Sequence, residues 1–108
     1  MTAKRGKPIL GRWRIVETDL WAKDYLDMDG PAHITFQTNG TGEFAFGCVN
    51  ATLRCHYSQD GASFTWVGFD EMTEVSGEGS ADITDDGTLE GEIAFLDGDE
   101  AQFKAQKE

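Results

Sequence analysis

Cys48, Cys55, His33 and His56 are the only cysteines and histidines in the chain. A structural zinc site needs four such side chains converging on one point. Read on alternating segments, Cys48 and Cys55 fall on the inward parity, while His33 and His56 fall on the outward one. The two pairs therefore face apart, and no zinc site is expected. A hairpin centred on Ala51-Thr52 sets Cys48 directly across from Cys55, at a separation that a disulfide can span. In a reducing compartment the expectation is two buried thiols packed as small apolar groups. Carboxylates are more numerous. Asp70, Glu71, Glu74 and Glu78 cluster, with Asp82, Asp85 and Asp86 close behind. Acid–base catalysis needs two carboxyls in a cleft with separated pKa values. A cluster in a surface connection reads instead as a solvated acidic rim. Asp24 to Gly30 has the composition of a calcium loop, but with Gly30 in sixth place the first and twelfth positions are Tyr25 and Phe36. Neither supplies the carboxylate that those positions require. Ser58, Ser63, Ser76 and Ser80 sit in no Gly-x-Ser-x-Gly elbow. No Gly-rich phosphate loop precedes a helix. The chain is read as non-enzymatic, with no catalytic residue, metal or cofactor.

Binding chemistry is the remaining option. Trp13, Phe36, Phe44, Phe46, Tyr57, Phe64, Trp66, Phe95 and Phe103 all share the inward parity. An eight-stranded barrel has an interior that side chains can fill or that can hold one small ligand. Gly68, Gly79, Ala81, Gly91 and Ala101 are small inward residues on neighbouring late segments. They either open a modest pocket or act as the partners that let large rings interdigitate. The pocket reading names Trp13, Phe36 and Trp66 as ligand contacts, joined by Trp21 and Tyr25 from the connection after the first strand.

The elements that position these residues are marked by short alternating runs separated by Asn-Gly or Asp-Gly. Those dipeptides stand at Asn39-Gly40, Asp60-Gly61, Asp86-Gly87 and Asp97-Gly98. Asn, Asp and Gly tolerate the positive φ of tight hairpins. Period-two alternation marks strands with one buried and one wet face. Eight strands are predicted, near 8–17, 32–38, 42–49, 52–59, 62–69, 77–84, 88–96 and 100–106. A two-residue Asp60-Gly61 loop pairs Tyr57 with Phe64 and Cys55 with Trp66. A three-residue Asp85-Asp86-Gly87 loop pairs Ile83 with Leu89. A three-residue loop from Asn39 to Thr41 pairs Phe36 with Phe44. Trp21, Tyr25 and Met28 fall on one helical stripe between Asp19, a candidate N-cap, and Gly30-Pro31. This predicts one short helix between strands 1 and 2, as a plug for one barrel end or as a lid. The stretch 69–77 either continues a strand or forms a long acidic connection. The fold class is all-β, an eight-stranded antiparallel up-and-down barrel or strongly curled sheet. Residues 1–8 read as a flexible basic N-terminus and 9–108 as one barrel domain.

Nine Lys and Arg stand against 20 Asp and Glu, a formal net charge of −11. Five of the basic residues are Lys4, Arg5, Lys7, Arg12 and Arg14, so the remainder of the chain is strongly anionic. Such a surface repels phosphate backbones and anionic lipid headgroups. Nucleic-acid and membrane binding are therefore not expected, and a basic partner or a cationic ligand is the natural complement. No apolar run of signal-peptide length follows Met1–Pro8. The expected location is the cytoplasm.

Gly11-Arg12-Trp13 on the first strand resembles the Gly-x-Trp signature of the calycin-like barrels, the lipocalins and avidins. The resemblance implies a small antiparallel barrel that holds a compact ligand in its mouth. Two departures stand against it. Lipocalins bring an Arg from the last strand onto the Trp, and no Arg follows Arg54 here. Avidins place an Asn two residues after the Trp, where this chain has Ile15. The run from Gly-Arg-Trp-Arg-Ile through Gly-Phe-Asp-Glu-Met to Gly-Glu-Ile-Ala-Phe is also similar to small uncharacterised bacterial proteins. That likeness implies a bacterial cytosolic protein and no particular function. Two readings follow. One is a small-molecule binder using the barrel mouth. The other is an acidic interaction module that docks a basic protein partner through Asp70, Glu71, Glu74 and Glu78 in the 70–86 region. The oligomeric state is left open.

Overall fold

The computed structural model describes residues 8–19, 30–96 and 98–108. Eight strands follow in chain order: β1 (Gly11–Thr18), β2 (His33–Phe36), β3 (Thr41–Phe46), β4 (Val49–Tyr57), β5 (Gly61–Asp70), β6 (Thr73–Ile83), β7 (Leu89–Phe95) and β8 (Glu100–Lys107). Each pairs antiparallel with the next, and β8 pairs back onto β1, so the sheet closes as an up-and-down barrel. Closure removes the sheet edges that a small β domain must otherwise protect. No helix occurs among the described residues. The helix expected between Asp19 and Gly30 falls on 20–29, outside them. Asp19 itself has another role from the one expected. Its carboxylate accepts the Gln102 N–H at 2.8 Å, and its own N–H donates to the Gln102 carbonyl at 3.1 Å. The presumed N-cap thus extends the β1–β8 ladder.

The interior is made of the inward parity, as the alternation requires. Trp13, Ile15, Ile34, Phe36, Phe44, Leu53, Phe64, Trp66, Leu89, Ile93 and Phe103 are all buried. Each fully buried large apolar side chain contributes roughly 1.5–3 kcal/mol by leaving water. The late small residues serve as sockets for rings. Phe64 lies opposite Gly79 in the β5–β6 register, and Phe103 lies opposite Gly91 in the β7–β8 register. A Cβ on Gly79 would lie 2.7 Å from Phe64 Cε1, and one on Gly91 would lie 2.8 Å from Phe103 Cζ. The space that a pocket could have used is occupied by phenyl edges.

Three of the four sequence-based registers differ from the observed ones. Observed pairs are Ile34 with Phe44, Phe36 with Gly42, Cys55 with Phe64 and Tyr57 with Ala62. The loops explain the shift. The first is Thr38-Asn39-Gly40, closed by Gln37 N–H to the Thr41 carbonyl at 2.9 Å, rather than Asn39 to Thr41. It repeats the Asp85-Asp86-Gly87 loop, where Thr84 N–H reaches the Thr88 carbonyl at 2.8 Å and Ile83 faces Leu89 as expected. In both, the third loop residue is a glycine in the left-handed region, Gly40 at φ 83° and Gly87 at φ 87°. The β4–β5 loop is Gln59-Asp60, with Ser58 N–H bonded to the Gly61 carbonyl at 3.0 Å. Gly61 belongs to the strand because a Cβ there would lie 2.7 Å from the Ala81 carbonyl.

The third hairpin turns at Gly47-Cys48 rather than Ala51-Thr52, and Phe46 faces Val49. Gly47 takes φ 57°, which supplies the turn. Cys48 therefore sits in a tight turn while Cys55 is buried inside β4 opposite Phe64, and the two are not joined by a disulfide. The expected cross-strand cysteine pair does not form. Stretch 69–77 resolves as the ends of β5 and β6, joined at Glu71-Met72.

Two predictions arise from this packing. Gly79→Ala should cost roughly 1–3 kcal/mol through overpacking against Phe64 and the Glu92 carbonyl. In a Phe64→Leu background the cost should shrink, giving a coupling of about 0.5–3 kcal/mol in a denaturation double-mutant cycle. Strict additivity would show that Phe64 does not occupy the notch.

The second concerns Asp86. Its carboxylate accepts from Thr84 Oγ1 at 2.5 Å, Thr88 Oγ1 at 2.8 Å and Thr88 N–H at 3.1 Å. These bonds hold its pKa down to about 2. A depressed carboxylate pKa adds stability that is present above the unfolded value, about 3.9, and is lost as pH falls through the folded one. Asp86→Ala should lower the melting temperature at neutral pH, with the gap to wild type narrowing between about pH 4 and pH 2. A gap that stays constant across that window contradicts the assignment.

Candidate functional site

The residues assigned to a ligand pocket are placed as core. Trp13, Phe36 and Trp66 are 2%, 1% and 2% exposed. Phe36 meets Phe64 at 6.2 Å and Tyr57 at 6.3 Å between ring centroids. Trp66 sits edge-on to Phe44 and to Phe95, each at 5.1 Å. Such tilted and edge-on geometries suit the ring quadrupoles. Both indoles are also satisfied: Trp13 Nε1–H donates to the Ile9 carbonyl at 2.8 Å, and Trp66 Nε1–H to the Glu78 carbonyl at 3.3 Å. Trp21 and Tyr25 lie outside the described residues.

The first-strand signature has a physical reason in this barrel. Gly11 takes φ 115°, and a Cβ on it would lie 2.7 Å from Lys107 Nζ. Lys107 uses that gap. Its ammonium donates to the Leu10 carbonyl and stands 4.8 Å from the Trp13 ring centroid. A cation over an indole is attracted by the ring's negative face. Partial burial lowers the Lys107 pKa. At the other end of the strands, Tyr57 donates its hydroxyl to the Gln37 carbonyl at 2.6 Å. Burial, then the neighbouring Cys55, pushes Tyr57 up to about 12. Burial likewise raises the Cys55 thiol, which keeps it protonated and unreactive.

The assigned acidic residues are at the surface. Register places Glu74 opposite Phe69, Ser76 opposite Val67 and Glu78 opposite Thr65, all on the outer face of the β5–β6 hairpin. Glu71 occupies the turn with φ 58°, a left-handed conformation that strains any residue with a Cβ. Asp70 pairs with Thr73 on the inward parity, at the barrel end. Glu74 and Glu78 therefore share a face, Glu71 stands at its tip, and Asp70 points the other way. Asp85 and Asp86 lie beyond the opposite end of β6. Eight residues separate Glu74 from Ile83, a span of roughly 25–30 Å. The 70–86 region is thus two surfaces, and only its first half forms the acidic face.

That face also carries apolar side chains that the sequence reading left out. Val67 is 59% exposed, Phe69 53%, Met72 95% and Leu96 83%. Val67 and Phe69 fall on the wet parity of β5, which is the signal in the sequence that marks them. A groove of about 540 Å³ runs between Val67, Glu74, Val75, Ser76, Phe95 and Leu96. Its sides are apolar apart from Glu74 and Ser76. A shallower acidic groove of about 450 Å³ crosses the outside of β6, β7, β8 and the end of β1, and includes Glu17, Asp19, Asp82, Glu90 and Glu92. His33 faces Glu43 at 3.4 Å on the outside of β2 and β3, and His56 is exposed on β4. Among the described residues, no three His, Cys, Asp or Glu side chains converge on a metal position.

The chain was compared with protein-family models, with curated proteins and with solved structures, and none of the three contains a match.

Proposed function

We propose that this barrel is a non-enzymatic docking domain that binds a protein partner bearing basic and apolar residues, using the outside of the β5–β6 hairpin. The observation that carries the proposal is the set of four exposed apolar side chains, Val67, Phe69, Met72 and Leu96, beside Glu71, Glu74 and Glu78. Exposed large apolar residues grouped with charges on one face mark interaction surfaces. The apolar members supply burial energy, and the carboxylates select the sign of the partner and speed its approach. A ligand in the barrel mouth is the weaker reading, because it would have to displace rings that already fill the interior.

The calycin-like reading of the architecture draws support from Lys107. It brings a cation from the last strand onto Trp13, where lipocalins bring an Arg. The likeness concerns how such a barrel is closed and capped, and the filled interior separates this chain from ligand-carrying members of that group.

The test uses a partner cross-linked to the protein in its own cells, then purified and titrated back. The variant Glu71→Gln/Glu74→Gln/Glu78→Gln should bind about tenfold more weakly at low salt, a loss of about 1.4 kcal/mol shared by three exposed charges. That difference should close at about 0.5 M salt, where screening is nearly complete. Val67→Ser/Phe69→Ser should weaken binding at both salts. Equal affinity of both variants and wild type would overturn the proposal. A small mass retained in native mass spectra and lost on denaturation would return the reading to the barrel interior.

A further inference from the structure

The strands β6 and β7 are unequal, and the difference leaves a short open edge beside the apolar groove. β6 pairs with β5 along its whole length, from Thr73 opposite Asp70 to Asp82 opposite Gly61. Its pairing with β7 begins only at Gly77, opposite Phe95. One further contact follows, Leu96 N–H to the Ser76 carbonyl at 2.8 Å, and the chain then turns away, with Phe95 N–H closing on the Asp99 carbonyl at 2.7 Å. Among the described residues, no strand flanks Thr73–Val75 on that side.

The direction of the backbone groups follows from the same contact. Alternate residues of a strand turn their N–H and C=O toward the same neighbour. Ser76 offers its carbonyl to the β7 side, so Glu74, two residues away, turns its N–H and C=O to that side as well. These groups face the line that β7 would occupy had it not turned at Leu96. The groove lined by Val67, Val75, Phe95 and Leu96 runs beside that line.

We infer that the partner docks here by strand addition: an extended segment alternating basic and apolar residues pairs with β6 at Glu74 and continues the path of β7. Main-chain hydrogen bonds give such an addition its affinity, and alternate side chains give it specificity. Side chains on the outer face of the segment meet Glu74 and Leu96, near the Glu71 tip, and those on the inner face meet Val75 and Phe95. A second copy of this chain is disfavoured as the occupant. An edge-to-edge pair would bring Glu74 against Glu74, between molecules that each carry a formal charge of −11. The inference rests on the docking function proposed above and specifies how the partner is held.

The probe is a capped heptapeptide alternating Lys and Val, titrated into the isotopically labelled full-length protein. Along a strand, the amides of alternate residues lie on one edge. N-methylating the three Val amides blanks one edge of the peptide, and N-methylating the Lys amides blanks the other. The unmodified peptide should shift the resonances of Val67, Phe69 and Leu96 and slow exchange of the Glu74 amide at least about tenfold. One methylated peptide should bind about tenfold more weakly than the other. If both methylated peptides bind as the unmodified one does, with the shifts still on the hairpin, strand addition is overturned and the docking surface stands. The same holds if both lose affinity equally. If the unmodified peptide does not bind, or shifts only the groove of Glu17, Asp82, Glu90 and Glu92, both proposals fall. A Glu74 amide that is already protected without peptide also overturns the open edge.

Discussion

Everything in this barrel depends on two rings seated on two glycines. An eight-stranded barrel encloses a space only just large enough for side chains, and this chain directs nine aromatic rings into it. Phe64 closes onto Gly79 across β5–β6, and Phe103 onto Gly91 across β7–β8. A side chain at either glycine would meet both the opposing ring and a neighbouring backbone carbonyl. Interiors are packed to crystal-like density, so these sockets decide whether the late strands can approach and the sheet can close. Once it closes, Lys107 reaches Trp13 through the gap left by Gly11, and the first and last strands are tied by a cation as well as by backbone bonds.

A filled interior has a functional consequence. Small antiparallel barrels that carry ligands need unfilled volume near the mouth, and here the three described aromatics that would line it are buried, Phe36 and Trp66 against other core rings and both indoles bonded to backbone carbonyls. The docking function proposed above accordingly uses the outside, where the chain departs from what solubility alone requires. Most of the outer parity is polar or charged. The exceptions, Val67 and Phe69 on β5, Met72 in the β5–β6 turn and Leu96 beside β6 at the end of β7, are left in water, which gives up burial energy for no structural return. The strained Glu71 turn lies at the same place. Strained backbone recurs at sites that contact something else.

The strand count, the antiparallel order and the division into inner and outer faces were legible, because period-two alternation reports burial directly. Register was not, and the reason is specific. Moving a loop so that the pairing shifts by two leaves every side chain on its own face, so the alternation cannot detect the error. Turn chemistry could have. Asn39-Gly40-Thr41 and Asp86-Gly87-Thr88 are the same motif, with the Thr hydroxyl and N–H both bonded to the Asx side chain. Reading the first as a copy of the second gives the correct pairing of Ile34 with Phe44. Gly61 misled because a glycine beside Asp suggests a turn, whereas this one is needed where β5 meets Ala81. Gly47 was passed over in favour of Ala51-Thr52, and the apparent Cys48–Cys55 pairing arose from that one misplaced turn. The acidic residues were found, but their grouping was too broad, since β6 carries its two acidic ends to opposite ends of the barrel.

The inequality of β6 and β7 joins the packing to the function. A closed barrel has no edge only where neighbouring strands run the same length, and eleven residues of β6 face seven of β7. The overhang is narrow, and the side chain that guards it is a carboxylate, Glu74. Charged residues on a strand edge oppose pairing with like copies. In a chain of net charge −11 that protection is strong against self-association, and it turns into attraction for a strand of the opposite sign. The groove beside Glu74 adds an apolar surface to that attraction. On the proposed docking mode, a single carboxylate on a short edge therefore does two things at once: it opposes pairing with a like copy, and it sets the sign of what can extend the sheet.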